Sequence, residues 1–245
     1  SILSKERNIN MKALRTKLVT YAIALLVSCG FSISSWAGSS NFSGIYGAFN
    51  GSAGGAQIDG RHTDQSGEHT TGQVGGVFPV AGYEIGFNLP LGDVFFLGAG
   101  HSWTQSGMAT LAEGRDNPNL SGGNRTGEDD DRNSNFALKA KNLKSVYLMP
   151  SISIFDNSAV FVKLGRSIAD LEASGSVSGA PNNLQGDLVG IGTIAMTPGG
   201  LFIKTEGSVT TFDDISIVGV SNSANSLVEG NPDVVQGTVS VGFKF

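Results

Sequence analysis

Apolar and polar residues alternate along most of the chain from residue 38 onward, in stretches separated by turn-forming residues. A period of two places successive side chains on opposite faces of an extended strand, and the helical period of 3.6 is nearly absent. The pattern predicts an all-β protein with eight strands, at 41–55, 73–88, 94–107, 136–154, 159–171, 184–197, 201–213 and 233–245.

The fourth of these strands has a competing interpretation. Its segment 137–149 is rich in helix-forming residues, and four of its apolar or aromatic positions follow a helical spacing: Phe136, Ala140, Leu143 and Tyr147. We assign a strand, because strict alternation begins at residue 146 and only seven strands would otherwise remain. Three lysines would then lie at or above the outer rim of the sheet: Lys139, Lys141 and Lys144.

The connections between the strands fall into two alternating classes. Short turns are expected at 89–93, 155–158 and 198–200, and long polar loops at 56–72, 108–135, 172–183 and 214–232. A soluble sandwich has no reason to place every turn at one end and every loop at the other, whereas transmembrane β-barrels do so, with periplasmic turns and extracellular loops. The predicted architecture is an eight-stranded antiparallel up-and-down transmembrane β-barrel.

Phenylalanines concentrate near the short-turn end of the predicted strands. A barrel in lipid needs aromatic belts at both interfaces, whereas the phenylalanine core of a soluble β protein would not follow the turns of all eight strands. We predict a periplasmic-side belt of six residues: Phe42, Phe87, Phe95, Phe155, Phe161 and Phe202. Trp103, Phe136 and Phe212 are expected toward the opposite rim.

The last strand shows the alternation most clearly. Apolar side chains occupy every second position up to the final residue, including Val239, Val241, Phe243 and Phe245. This ending resembles the C-terminal signal by which outer-membrane barrels are recognised by their insertion machinery. With the opening NFSGIYG at 41–47, it makes the chain similar to the small eight-stranded outer-membrane barrels of the OmpA transmembrane-domain and OmpX type, often called porin-family β-barrel domains.

The resemblance covers about 38–245 and is one of pattern more than of unique motif. It implies a monomer in the outer membrane of a Gram-negative bacterium, in contact with membrane lipid and lipopolysaccharide. It also implies a structural or surface-interaction role, such as membrane integrity or binding of an extracellular ligand through the loops. A narrow diffusion pore, a lipid A modifying enzyme and a periplasmic lipoprotein with a soluble lipid-binding barrel are the alternatives. No cofactor and no enzymatic activity are expected.

An eight-stranded barrel is narrow, and side chains fill its interior. Because a Lys or Arg on the lipid face at mid-membrane costs about 2–4 kcal/mol, charged strand residues are expected to point inward and pair. Alternation predicts an inward network of Glu84, Lys163, Lys204 and Glu206, with Asp187 as a fifth member. Arg166 lies three positions from Lys163, so it either faces outward at the outer interface or follows a bulge.

Composition narrows the class further. The 245 residues include 35 glycines and only 15% charged residues, with a net charge of −5, so disorder and coiled coil are not expected. Beyond residue 37, no apolar run has the roughly 18 residues of a membrane-spanning helix. That part of the chain holds 11 basic and 20 acidic residues, a balance that disfavours nucleic acid as a partner.

The first 37 residues are predicted to contain a targeting segment that is removed from the mature protein. From Met11, a basic stretch leads into an apolar run at 18–31 and then into small residues that end at Ala37, where we expect cleavage of a secretory signal peptide. Residues 1–10 are interpreted as an upstream extension or a misassigned start. A second interpretation stays open, because 26–29 resembles a lipobox in which Cys29 would be lipidated. The barrel domain is 38–245.

Four short motifs carry little weight. GIGTIA at 190–195 matches a dinucleotide fingerprint, but a turn follows where a helix is needed. The acidic run at 128–131 lacks the spacing of a calcium loop, and His62 and His69 are weak evidence for a metal. His101 is adjacent to a serine, but neighbours in a strand point to opposite faces and do not form a catalytic pair.

Overall fold

A computed structural model describes seven ranges of the backbone, at 38–63, 69–105, 109–114, 136–175, 177–178, 180–221 and 224–245. The predictions on the signal peptide, on Cys29 and on the acidic run at 128–131 lie outside these residues.

Strands account for most of the described residues. They are β1 (Gly44–Thr63), β2 (His69–Pro90), β3 (Phe95–Gln105), β4 (Ala109–Gly114), β5 (Phe136–Phe155), β6 (Ser158–Gly175), β7 (Val177–Ser178), β8 (Asn183–Met196), β9 (Leu201–Phe212), β10 (Ile215–Ser221) and β11 (Ala224–Lys244). A four-residue 3-10 helix, Ser39–Phe42, precedes β1. Within the described ranges, no helix has the length and hydropathy needed to cross a bilayer.

Eight of these strands form a closed antiparallel barrel. Its order is β1-β2-β3-β5-β6-β8-β9-β11, and β11 pairs with β1 over a long ladder from Tyr46↔Lys244 to Thr63↔Leu227. Closure leaves no free sheet edge around the wall, which lets every backbone group be paired without water. The predicted eight-stranded up-and-down barrel is confirmed.

The two ends of the barrel differ, as the connections suggested. Short connections at 91–94, 156–157 and 197–200 close one end, which we call the turn end. At the other, which we call the loop end, β4 pairs with β5, β10 pairs with β11, and β7 pairs with β10.

The four predicted loops are wrong in extent, because strands continue into each of them, and most fully into 56–72 and 214–232. β1 and β2 pair up to Thr63↔His69, so much of 56–72 is a hairpin. β11 begins at Ala224 and pairs with β10, so 214–232 is also largely strand. A spanning strand needs about 9–11 residues, while β1, β2 and β11 have 20, 22 and 21. Beyond the lipid, the outward face has no need to be apolar, so the alternation that predicts strands fades.

A β-bulge explains the helical spacing within β5. The pairing of β5 with β6 shifts between Lys141 and Lys144, and Asn142 has a φ of 55°. The extra residue moves the inward face from even to odd positions, so Ala140 and Tyr147 both point into the barrel. Leu143, which packs against the same buried apolar side chains as Ala140, follows Ala140 by three positions. A bulged strand therefore reproduces the step of three that is typical of a helix.

Outward-facing side chains form an apolar surface around the wall. It includes one side chain with 81% exposure, Phe49, and other large residues on several strands: Ile45, Ile85, Leu148, Ile191, Ile203, Val239 and Val241. A soluble monomer rarely exposes a contiguous apolar patch of this extent. With a closed wall, an apolar exterior and inward charges, the molecule is a transmembrane β-barrel.

Candidate functional site

The candidate site is the interior of the barrel, which side chains fill in layers. From the turn end upward, we distinguish an apolar turn-end layer, a group of four charges, a polar layer and an apolar loop-end layer. Each layer is built from the inward positions of several strands, which is how alternation along each strand creates one common interior.

Four buried charges lie near the middle of the lumen, and we call them the quartet. Lys204 on β9 pairs directly with Glu84 on β2, and Lys163 on β6 pairs directly with Glu206 on β9. The two remaining cation–anion distances are 3.7 Å for Lys163 Nζ to Glu84 Oε2 and 3.6 Å for Lys204 Nζ to Glu206 Oε2. Each cation therefore has two anions nearby, and each anion has two cations.

Two tyrosines extend the quartet into a hydrogen-bonded chain. The Tyr147 hydroxyl donates to Glu84 Oε2 at 3.3 Å, and the hydroxyls of Tyr46 and Tyr147 are 3.0 Å apart. Because an ionised carboxylate only accepts, Tyr147 donates to Glu84 and accepts from Tyr46. Lys163 Nζ also lies 4.3 Å from the centroid of the Tyr147 ring, a cation–π distance.

Glycines in the neighbouring strands make room for these tyrosines. Gly86 is the register partner of Tyr46, and Gly100 is the register partner of Tyr147. A Cβ added to either glycine would lie 2.5 Å from the hydroxyl oxygen of its tyrosine. Each ring therefore extends across its neighbouring strand over a position that has no side chain.

Above the quartet, the interior is polar and contains a cavity of about 30 Å³. Its uncharged polar lining comes from five strands and includes Asn50, Ser52, Ser102, Ser145, Ser208, Thr210, Gln236 and Thr238. A polar cavity of this size has room for about two water molecules.

The loop-end layer closes the interior above this cavity. It is a cluster of buried apolar side chains, among them Leu138, Leu171, Leu184, Phe212, Ile217 and Val234. All described barrel strands except β3 contribute residues to it or to its partly buried margin. A further cavity of about 20 Å³ borders this layer, lined among others by Ala140, Ala169, Phe212 and Val234. The apolar side chains of the layer offer an ion or a polar solute no hydrogen-bonding partner at the loop end of the lumen.

The predicted aromatic belt is wrong for three of its six phenylalanines, which belong to the turn-end layer. Phe42, Phe161 and Phe202 are buried inside the barrel, where Phe42 stacks on Phe96 with ring centroids 5.0 Å apart. Phe161 and Phe202 each precede an inward lysine by two residues, so alternation places them inward as well. Phe87, Phe95 and Phe155 are exposed on the outer face. A phenylalanine near a turn can be buried in the lumen or lie in the outer aromatic belt, so its position near a turn does not decide between the two.

Asp187 was wrongly predicted to join the inward network. It lies on the outer face of β8, directly paired in register with Arg166 of β6, and Arg166 Nη1 donates to Asp187 Oδ1 at 2.7 Å. The pairing of β6 and β8 is regular across this region, so Arg166 faces outward without a bulge. β8 is apolar on both faces, with Leu188 inside and Ile191 outside. Its sequence therefore does not indicate which of the alternating positions face inward.

The remaining motifs gain no support from the described residues. GIGTIA lies within β8, where Gly190 and Gly192 accommodate neighbouring side chains. Ser102 lines the polar cavity while its neighbour His101 lies on the opposite face of β3. The side chains of His62 and His69 lie outside the described part, and the described residues contain no group of three or more His, Cys, Asp or Glu placed to hold a metal.

Sequence reasoning missed Tyr46, Tyr147 and the loop-end layer. Tyr147 lies between Val146 and Leu148, which are both strongly exposed. A tyrosine hydroxyl between two apolar neighbours is the signal in the sequence that indicates an inward position for Tyr147. No comparable signal marks the loop-end layer, because its leucines and valines resemble lipid-facing residues.

No family model and no curated protein matches the chain. Among solved structures, it is similar to the outer membrane protein OprG from Pseudomonas aeruginosa, with 12% identity over 83% of this chain and 96% of that one and a TM-score of 0.46. It is also similar to the outer membrane protease OmpT from Escherichia coli, with 10% identity, coverage of 82% and 97%, and a TM-score of 0.43. The attachment invasion locus protein Ail of Yersinia pestis gives 9% identity, coverage of 76% and 97%, and a TM-score of 0.31.

Proposed function

We propose that this barrel is a sealed scaffold in the outer membrane that serves surface interaction rather than solute passage. The observation that carries the proposal is the pair of apolar layers that close the lumen on both sides of the quartet. An ion entering this lumen would have to cross packed Leu, Phe and Met side chains, where its desolvation has no compensation.

The loop end supports the interaction role, because the wall continues beyond the length that a bilayer requires. β1, β2 and β11 are each about twice as long as a spanning strand. At the base of these extensions, the same strands contribute Ala56, Val80 and Val234 to the loop-end layer. A sheet with a packed core holds its connecting loops in place, and binding residues are commonly carried by loops on such a scaffold.

Charge indicates the kind of partner. The four connections expected from sequence, at 56–72, 108–135, 172–183 and 214–232, hold twelve acidic and four basic residues. Their net charge of −8 accounts for almost all of the charge of the barrel domain. A basic macromolecular surface fits this end of the molecule, with association that weakens as salt increases.

A narrow pore is the second candidate, and the polar cavity is the observation that favours it. Planar-bilayer recordings of the purified, folded protein separate the two candidates. A sealed scaffold gives no discrete conductance steps, whereas a pore gives reproducible steps whose size follows salt concentration.

Surface display is tested by an epitope inserted within 115–135, with a matched insertion between Asp156 and Asn157 in the turn-end connection. On intact cells, antibody is expected to bind the first variant and not the second, and to bind both after the outer membrane is permeabilised. Equal labelling of both insertions on intact cells, or labelling of neither, would contradict the proposal.

A further inference from the structure

The short segment ahead of β1 lies across the turn end of the barrel. The 3-10 helix Ser39–Phe42 begins after Gly38, and its last residue places a phenylalanine ring inside the barrel mouth. Phe42 is only 2% exposed, and its ring is nearly parallel to that of Phe96, at an angle of 4°. This segment closes the mouth without being part of the barrel wall.

Hydrogen bonds fasten the segment to the turn-end connections. Ser39 donates its backbone N–H to Asp93 O at 2.8 Å and its hydroxyl to Gly92 O. The Asn41 side chain donates to Asp156 O at 2.9 Å. The anchors therefore reach two separate connections of the barrel.

Two further hydrogen bonds tie the segment to the wall. Asn88 Nδ2 on β2 donates to Phe42 O at 3.0 Å, and Lys244 Nζ near the end of β11 donates to Asn41 O at 2.8 Å. Because β1 and β11 meet only when the barrel closes, the Lys244 contact requires a completed barrel.

Behind Phe42, a small apolar cavity leads toward the quartet. It measures about 20 Å³ and is lined by Phe42 and Lys204 together with Tyr46, Met149, Met196 and Phe202. Phe42 is thus at the outer side of this cavity, and a quartet lysine forms part of its lining.

We propose that Gly38–Phe42 is a plug, and that its displacement, rather than rupture of the quartet, admits solvent to the lumen from the turn end. The wall strands are held by continuous backbone ladders, while the plug is held by a few isolated hydrogen bonds and one buried ring. Gly44 joins plug to wall with a φ of +122°, a conformation that glycine adopts without strain. The plug can therefore leave while the barrel stays closed.

The test uses thiol accessibility in the folded full chain. Cys29 is the sole cysteine of the sequence, so Cys29→Ser gives a thiol-free background. Met196→Cys then reports on the cavity behind the plug, and Ser208→Cys reports on the polar cavity beyond the quartet. The probe is sodium (2-sulfonatoethyl) methanethiosulfonate, a small charged reagent that modifies thiols exposed to water.

Plug opening is produced by Phe42→Ala, with Phe49→Ala as the matched control, because Phe49 faces outward on β1 and does not touch the plug. We expect Phe42→Ala to raise the modification rate of the Met196→Cys thiol at least tenfold. Phe49→Ala should leave that rate within about twofold, and the Ser208→Cys thiol should stay protected in both. Ser39→Ala with Asn41→Ala, which removes side-chain anchors and keeps the ring, is expected to give an intermediate rate.

Lys204→Gln provides the opposing case, because it breaks the quartet and leaves the plug intact. The proposal is overturned if Lys204→Gln exposes the Met196→Cys thiol as much as Phe42→Ala does, or if Phe42→Ala leaves that thiol protected. Each variant is scored only on the folded fraction, identified by its migration before and after boiling. If Phe42→Ala does not fold, the anchor variant gives the answer alone, since an unchanged rate there also overturns the proposal.

Discussion

Lys204 and Glu84 lie on β9 and β2, strands that are not neighbours in the barrel wall, and their side chains form a direct ion pair across the lumen. Both residues are almost completely buried. Because so little of either side chain is exposed, each charge depends on the other and on the second pair of the quartet.

Removing one member of the quartet is predicted to destabilise the barrel strongly. Glu84→Gln keeps the size of the side chain but leaves two lysines sharing a single anion, and breaking a buried pair in this way costs about 3–5 kcal/mol. The free energy of unfolding in urea, measured in lipid vesicles, checks the value. The matched control is Asp187→Asn, which breaks an exposed pair with Arg166 and is expected to cost less than about 1 kcal/mol. Equal effects of the two variants would contradict the assignment of inner and outer faces.

The glycine positions under the tyrosines give a second prediction. A Cβ at Gly100 would lie 2.5 Å from the Tyr147 hydroxyl and 2.8 Å from Ile85 O, so Gly100→Ala should destabilise by about 1–3 kcal/mol through overpacking. Gly51→Ala is the control, because a Cβ there meets nothing within 4 Å. Gly51→Ala is expected to be neutral or slightly stabilising, since it restricts the unfolded chain. Equal free energies of unfolding for the two variants would contradict the close packing of Tyr147 against Gly100.

Much of this interior follows from the sequence, and the exceptions have physical causes. A lysine or glutamate within an apolar strand has one favourable side, so alternation is enough to place Glu84, Lys163, Lys204 and Glu206 inside. Phenylalanine is stable both against lipid and inside a packed lumen, so Phe42, Phe161 and Phe202 were placed on the wrong side. Asp187 lies near the loop end, where the outer face can carry charge.

Charge on the outer wall gives a third prediction. Val239 lies midway along the lipid-facing part of β11 and is half exposed. Val239→Lys should reduce the stability of the inserted barrel by about 2–4 kcal/mol, the cost of a lysine near the midplane. Thr197→Lys, at an exposed position of the turn end, should cost no more than about 1 kcal/mol. The free energy of unfolding of both variants, measured in lipid vesicles, tests this prediction. An equal loss of stability in the two variants would contradict lipid contact at Val239.

The loop-end layer gives a fourth prediction, which concerns sealing and stability together. Phe212 is buried among the apolar side chains of this layer, and Phe212→Ala should cost about 3–5 kcal/mol by leaving a cavity. The quartet and the turn-end layer remain in place, so this variant should still give no conductance steps in planar bilayers. Steps produced by Phe212→Ala alone would show that the lower layers do not seal.

The central claim is that outward side chains meet acyl chains while inward side chains fill a sealed lumen. Ile191 and Ile194 test it most directly, because they stand on the same strand, β8, one exposed and one buried. In lipid nanodiscs with methyl-labelled protein, the Ile191 methyl groups are predicted to show nuclear Overhauser effects to lipid acyl chains, as are those of Val239. The Ile194 methyl groups are predicted to show them only to protein protons. Acyl-chain contacts at Ile194, or water contacts in place of lipid contacts at Ile191 and Val239, would contradict the claim.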